Sequence, residues 1–301
     1  MLKKVICGLL CASSLILAKD INIAVVTHGA DTDGFWSVVK NGVNSATKDM
    51  GVNVNYRNPA SGDLTEMSRL IASAVAKRPD GLVVTIPDSN ALGGAIKKAI
   101  KLGIPVITIN SGGAYGKEIG ALMHIGQSEY DAGLQAGKRA KKAGVKTFIC
   151  INQEITNISL EQRCQGFADA LGVKNNMLDV GVDPAEIERK VKPRLKDYDA
   201  VLALGPVATS PTMRAVKKAR LGRHIYFVTF DLSKDIIKGI KSGVIDFAID
   251  QQQYLQGYMP IVVLTQMAKY GVLQSGDINS GPGYVTKENV SNVEKYAGKY
   301  R

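Results

Sequence analysis

The chain has 301 residues, 45 % of them hydrophobic and 22 % charged, with four cysteines and a formal net charge of +11 from 38 Lys and Arg against 27 Asp and Glu. Such a length suggests about two domains of ~150 residues, and the composition excludes a disulfide miniprotein, a disordered tail and a collagen-like repeat. The basic residues are scattered over helical stretches (Lys97, Lys98, Lys101; Lys217, Lys218, Arg220) without interleaved aromatics. They read as solvated helix faces, and no nucleic-acid partner is expected.

Lys3 and Lys4 open the chain, an apolar run from Val5 to Leu17 follows, and Ala18 precedes Lys19-Asp20. A short apolar core behind lysines is the pattern of a secretory signal peptide, too short to span a bilayer. Residues 1–18 are read as that peptide, cleaved after Ala18, and the mature protein as exported. Its removal takes two lysines and two cysteines, leaving Cys150 and Cys164. In an oxidising compartment this pair suggests one disulfide, stabilising by ~3 kcal/mol; two buried free thiols are the alternative.

From Ile21 onward a β-rich run, a turn and an amphipathic helix alternate. The first half holds strands at Ile21–Thr27, Val52–Tyr56, Gly81–Ile86 and Pro105–Ile109. The intervening helices repeat apolar residues at i, i+3, i+4 and i+7, as in Phe35, Val38, Val39, Gly42, Val43 and Ala46. The second half repeats the pattern with strands at Thr147–Ile151, Met177–Val182, Ala200–Leu204, Ile225–Phe230 and Phe247–Ile249, and helices near 159–171, 185–194, 210–221 and 233–242. Runs such as Gly81-Leu-Val-Val-Thr-Ile are apolar on both faces, as buried parallel strands require. The expected fold is therefore α/β: two doubly wound parallel sheets with a cleft between them. No Pro-rich or Ser-rich linker separates the halves.

In such sheets ligands bind beyond the carboxyl ends of the strands. Those ends carry His28, Asp33, Asn110, Asn152-Gln153-Glu154, Gly205-Pro206, Asp231 and Gln251. They are polar and amide-rich and hold no nucleophile–base set. No phosphate loop follows the G-x-x-x-x-G-K-[ST] pattern, no G-x-G-x-x-G follows the first strand, and no G-x-S-x-G elbow occurs. His28, His124 and His224 lack metal-ligand spacing. The expectation is a non-enzyme with no cofactor and no metal. Phe35-Trp36 stands out, because Trp36 is the sole tryptophan and opens a helix behind a polar loop. An aromatic face suits the C–H face of a sugar ring, while carboxylates and amides suit its hydroxyls. Core packing is the competing reading for both rings, and capping of the next helix is the competing reading for Asp231.

Several stretches in order resemble the ribose-binding-protein class of periplasmic solute-binding proteins, which serve ABC importers. They are Asp33-Gly34-Phe35-Trp36, Gly103-Ile-Pro-Val-Ile-Thr-Ile-Asn110, Arg163-Cys-Gln-Gly-Phe167, Val228-Thr-Phe-Asp231 and Ala248-Ile-Asp-Gln251. The resemblance implies a type I periplasmic binding fold whose lobes are joined by a three-strand hinge with crossings near residues 126, 251 and 281. The first lobe is then 19–126 plus 252–280 and the second 127–251 plus 281–301. It further implies a monomer in the periplasm that binds a sugar or polyol and delivers it to a membrane permease, with a chemoreceptor as a further partner. Implied ligand contacts are Asp33, Phe35, Trp36, Asn110, Asp231 and Gln251; His28, which ends the first strand, and Glu161, at a position where the class has an arginine, complete the expected set. Ribose-type members place Asp-Arg where Asn110-Ser111 stands, Arg at Glu161, and Asn-Asp at Gly205-Pro206. Two guanidinium groups would then be lost and a carboxylate gained, which points away from ribose itself and leaves room for an amine-bearing ligand. Arg163 neutralising Glu161 is the alternative. A nucleoside or a sugar-like signalling molecule of the autoinducer type is the rival ligand class; aromatics on both sides of the cleft would favour it.

Overall fold

Asp33 starts the first helix: its carboxylate accepts the Phe35 amide at 2.9 Å, and Gly51 closes the helix in the left-handed region at φ 62°. Between them α1 (Gly34–Met50) buries the apolar stripe expected from its spacing. The computed structural model describes residues 20–301, so the expected signal peptide lies outside the described residues.

In chain order, β1 (Asn22–Val26), α1, β2 (Asn53–Arg57), α2 (Leu64–Ala76), β3 (Gly81–Val84), α3 (Ser89–Lys101), β4 (Val106–Ile109), α4 (Gly113–Glu118) and β5 (Met123–Gly126) build the first sheet and its helices. Next come α5 (Glu129–Lys142), β6 (Phe148–Asn152), α6 (Ile158–Leu171), β7 (Met177–Asp179), α7 (Pro184–Val191), β8 (Ala200–Ala203), α8 (Pro206–Ala219), β9 (Tyr226–Phe230), α9 (Lys234–Lys241) and β10 (Phe247–Asp250), which build the second. Then α10 (Gln253–Tyr270) packs along α1, β11 (Ile278–Asn279) joins the first sheet and β12 (Gly283–Thr286) the second. The orders are β2-β1-β3-β4-β5-β11 and β7-β6-β8-β9-β10-β12, parallel throughout except for β12. Each sheet with its helices forms one lobe, and the chain passes between the sheets three times, after β5, after β10 and between β11 and β12.

Both sheets share one winding, so each reverses strand order beside its first strand, between β1 and β3 and between β6 and β8. Ligand crevices form at such switch points. Both lobes also bring two helices unusually close on glycines. A Cβ on Gly42 would sit 2.2 Å from the Tyr254 carbonyl oxygen, and one on Gly166 would sit 2.1 Å from that of Tyr130. Any larger residue would push α10 from α1, or α6 from α5.

The nine expected strands and their helices fall where the alternation placed them, with revised ends; β5, β11, β12, α4 and α10 add to them. β7 stops at Asp179 rather than Val182, and α8 begins at Pro206 rather than near 210. Proline fits the first helical turn because its missing N–H has no partner there anyway. Cys150 on β6 and Cys164 on α6 are disulfide-bonded, with Cα atoms 5.9 Å apart, tying the sheet to the helix that carries Arg163.

Candidate ligand-binding site

The switch points of the two sheets face each other across a cleft. From the first lobe come His28, Asp33, Phe35 and Trp36 beside β1, and Asn110 and Ser111 beyond β4. From the second come Gln153, Glu154 and Asn157 beyond β6, Arg163 on α6, Gly205 beyond β8 and Asp231 beyond β9. Gln251, just past β10, completes the floor. The cleft encloses about 30 Å³ of free space, enough for two or three waters and too little for a sugar ring.

Trp36 makes two T-shaped ring contacts, with His28 and with Phe35, each at 4.8 Å between centroids. Its indole sits where a side chain on Gly29 would stand, since a Cβ there would lie 1.7 Å from Trp36 Cδ1. Gly29 thus leaves the room that Trp36 occupies beside the cleft, although the sequence gives it no chemical signal. Phe35 and Trp36 pack into the first-lobe core and also line the cleft, so core packing does not remove them from the candidate site. His28 is fixed by Thr85, whose hydroxyl meets Nδ1 at 2.8 Å and accepts the His28 amide at 3.0 Å.

The amides form a relay across the hinge. Asn110 Nδ2 donates to Gln251 Oε1 at 3.2 Å, and Gln251 Nε2 donates to Asp231 Oδ1 at 2.8 Å. Gln256 Nε2 donates to the same Gln251 oxygen at 3.0 Å and to Ser280 Oγ at 3.0 Å, linking the second and third crossings. Asn110 and Asp231 hold left-handed backbone, at φ 60° and 69°, a conformation that Asn and Asp accept more readily than other residues with a side chain. Asp231 does not cap α9; Ser233 does.

The charges sit mostly on the second lobe. Arg163, 3 % exposed, is forked onto Glu129, Nε to Oε2 at 2.6 Å and Nη2 to Oε1 at 2.8 Å, while Nη1 donates to the Leu204 carbonyl at 2.9 Å. The guanidinium also lies 4.1 Å from the Phe230 ring centroid. Burial pushes the Asp231 carboxyl up to about 8, against the pull of Arg163 and Gln251 and with Glu129 and Asp33 adding repulsion. Burial also pushes Asp33 up to about 6; the Phe35 amide opposes this and Glu154 reinforces it. Glu154 departs the other way. Burial works against ionisation, but His28, Asn157 and Arg163 together outweigh it and hold the carboxyl below its ordinary range.

Two expectations are corrected. Glu161 is exposed and lies outside the cleft lining, and Arg163 pairs with Glu129, not Glu161. Residues two apart on a helix are turned by roughly 200° from each other, so Glu161 and Arg163 cannot both face inward. Leu160, Cys164, Phe167 and Leu171 form the buried stripe, and Arg163 falls on it three residues after Leu160. One guanidinium therefore remains in the cleft. Gln153, Glu154 and Asn157, together with Ser111, Ser159 and Arg163, are polar lining residues that the expected contact set omitted, although Gln153 and Glu154 were legible as a strand end. Gln153 Oε1 is buried with no hydrogen-bond partner in the structure, and Asn157 reaches Glu154 Oε2 at 2.8 Å and His28 Nε2 at 3.4 Å.

A larger opening of about 620 Å³ also lies between the lobes, shares Asn110 and Ser159 with the cleft and is lined by Tyr115, His124, Tyr130 and Asp277. It lacks the indole, Asp33, Asp231 and Gln251. The smaller cleft, where the strand ends of both sheets converge, is the better candidate.

Residues 23–271 match the family described as periplasmic binding protein domain. Among curated proteins the chain is 27 % identical over 276 residues to the ribose import binding protein of Haemophilus influenzae, spanning 88 % of this chain and 91 % of that one. It is 23 % identical over 290 residues to the xylose/arabinose-binding protein of Sulfolobus acidocaldarius, spanning 89 % and 71 %. Among solved structures, a carbohydrate transporter from Acidothermus cellulolyticus in complex with myo-inositol superposes with a TM-score of 0.87 at 35 % identity, over 93 % of this chain and 99 % of that one. A solute-binding protein from Burkholderia graminis in complex with D-arabinose shares the fold, with a TM-score of 0.82 at 22 % identity, over 91 % and 98 %. The chain belongs to the periplasmic binding protein family, with the type I fold of the sugar-binding proteins it resembles.

Proposed function

We propose that the protein captures a small polyhydroxylated ring, a monosaccharide or a cyclitol, in the cleft between its lobes and delivers it to the membrane permease of an ABC importer after export to the periplasm. The observation that carries this is that Phe35 and Trp36 of the first lobe share one cleft with carboxylates and amides drawn from both lobes. An aromatic plane offers a surface for ring C–H groups, and the acceptors and donors around it match hydroxyls at the rim. The cleft's small free volume supports opening of the lobes before a ring can enter, with the three crossings as the hinge. No aromatic side chain of the second lobe lines the cleft, which favours a polyol over a nucleobase. The similarity to a protein crystallised with myo-inositol supports a cyclitol as the first compound to try.

The test is a thermal-shift and calorimetric screen of mature protein with myo-inositol, D-ribose, D-xylose, L-arabinose, hexoses, amino sugars and nucleosides. A cognate polyol present at a hundred times its Kd stabilises by about 2.7 kcal/mol. Saturable binding of at least one polyol, with a change in Trp36 fluorescence, is the expected result. Silence across the polyols alongside binding of a nucleoside or amino acid contradicts the proposal.

A further inference from the structure

The charges around the cleft do not balance. Arg163 is its one permanent cation, and its fork is closed onto Glu129, which is 4 % exposed. That pair neutralises itself inside the second lobe. Three carboxylates remain: Asp33 from the first lobe, and Glu154 and Asp231 from the second. Facing them are the His28 ring, 3.6 Å from Glu154, and the residual pull of Arg163; together they favour ionised Glu154, while burial of Asp33 and Asp231 outweighs the compensation those two receive. Each acid has one oxygen engaged with the protein, Asp33 with the Phe35 amide, Asp231 with Gln251 and Glu154 with Asn157. The three acids line one cleft shared by both lobes.

Burying carboxylates without a cation is costly, and such groups are normally paired or coordinate a metal. Among the described residues, no group of three or more His, Cys, Asp or Glu is placed to hold a metal ion. Hydroxyls can hydrogen-bond to these acids but cannot neutralise them, whereas an ammonium group does both. We propose that the ring held in the cleft carries a basic nitrogen, so that the ligand is an amino sugar or aminocyclitol bound as its ammonium ion between Asp33, Glu154 and Asp231. This rests on the reading of the cleft as a polyol site and narrows it. The upward displacement of Asp33 and Asp231 in the ligand-free protein is consistent with carboxyls that lack a countercharge.

The experiment compares matched pairs by calorimetry at neutral pH: D-glucosamine with D-glucose, D-galactosamine with D-galactose, D-mannosamine with D-mannose and scyllo-inosamine with scyllo-inositol. At least one amine is expected to bind tenfold or more tightly than its hydroxyl counterpart. Asp231→Asn and, separately, Glu154→Gln are expected to bring that ratio close to one, each with cooperative unfolding retained as the check on the fold. If every hydroxyl compound binds as tightly as its amine, or if the ratio survives both variants, the charge inference is overturned while the polyol reading stands. If neither member of any pair binds and the wider polyol screen is also silent, both fall; if the amines alone are silent, only the inference falls.

Discussion

The two lobes share one winding and fill it with opposite chemistry. In the first lobe, the loop after β1 leads into Phe35 and Trp36, rings that belong to the hydrophobic core and also face the cleft. In the second lobe, the loop after β6 leads to Glu154 and Asn157, and the helix behind it supplies Arg163. An aromatic wall is stabilised by the same burial that makes it a wall. A charged wall has to be stabilised from within, and the second lobe does this with the Glu129–Arg163 fork between α5 and α6. The first lobe therefore presents shape, and the second presents charge held by an internal counterion.

Variants can break this asymmetry. The largest effect is expected for Arg163→Ala, which strands Glu129 in the interior and should destabilise by about 3–5 kcal/mol; in denaturant melts, adding Glu129→Gln should recover part of that loss. Loss of the disulfide by Cys164→Ser should cost about 3 kcal/mol, in line with closing a loop of some 15 residues, and reduction of the wild type should reproduce it. Arg163 and Cys164 adjoin on α6, so the two effects should not add.

A subtler signature lies in pH. The Asp231 carboxyl is raised from 3.8 to about 8 in the folded chain, so between those values the native state holds a proton that the unfolded state has lost. Its contribution to stability is present at low pH and declines as pH rises through that window, by at most about 1.4 kcal/mol per pH unit for one proton. Asp231→Asn removes this slope. Its stability relative to wild type, read from ligand-free melts at pH 5 and pH 8, should rise with pH. A relative stability that falls over the same interval contradicts a buried, under-compensated acid. The smallest effect is expected at Glu161, where the alanine variant should leave stability and affinity unchanged within about 0.5 kcal/mol.

The difference between lobes also sets what the sequence disclosed. Asn110, Asp231 and Gln251 stand at the ends of strands whose apolar runs are unmistakable, and Asp33 and Trp36 at the start of the helix that follows the first, so their convergence follows from the sheet winding. Arg163 and Glu161 are two residues apart on a helix, and choosing between them needed the stripe Leu160, Cys164, Phe167 and Leu171 rather than the motif around them. Glu129 gave no signal, because its partner lies 34 residues away on a separate helix. α10 escaped notice because Pro260 falls inside it and its buried face mixes Gln253, Gln256 and Thr265 with aliphatic residues, which blurs the helical period. β5 is four residues with a histidine among them, too short to register as a strand.

The most direct measurement is a crystal structure of the mature protein grown with whichever polyol or amino polyol binds tightest in calorimetry. The account requires the ring to lie against the Trp36 indole with its polar edge on Asp231 and Gln251. Ligand seated instead in the larger opening beside Tyr115 and His124, with Trp36 and Asp231 untouched, would contradict it.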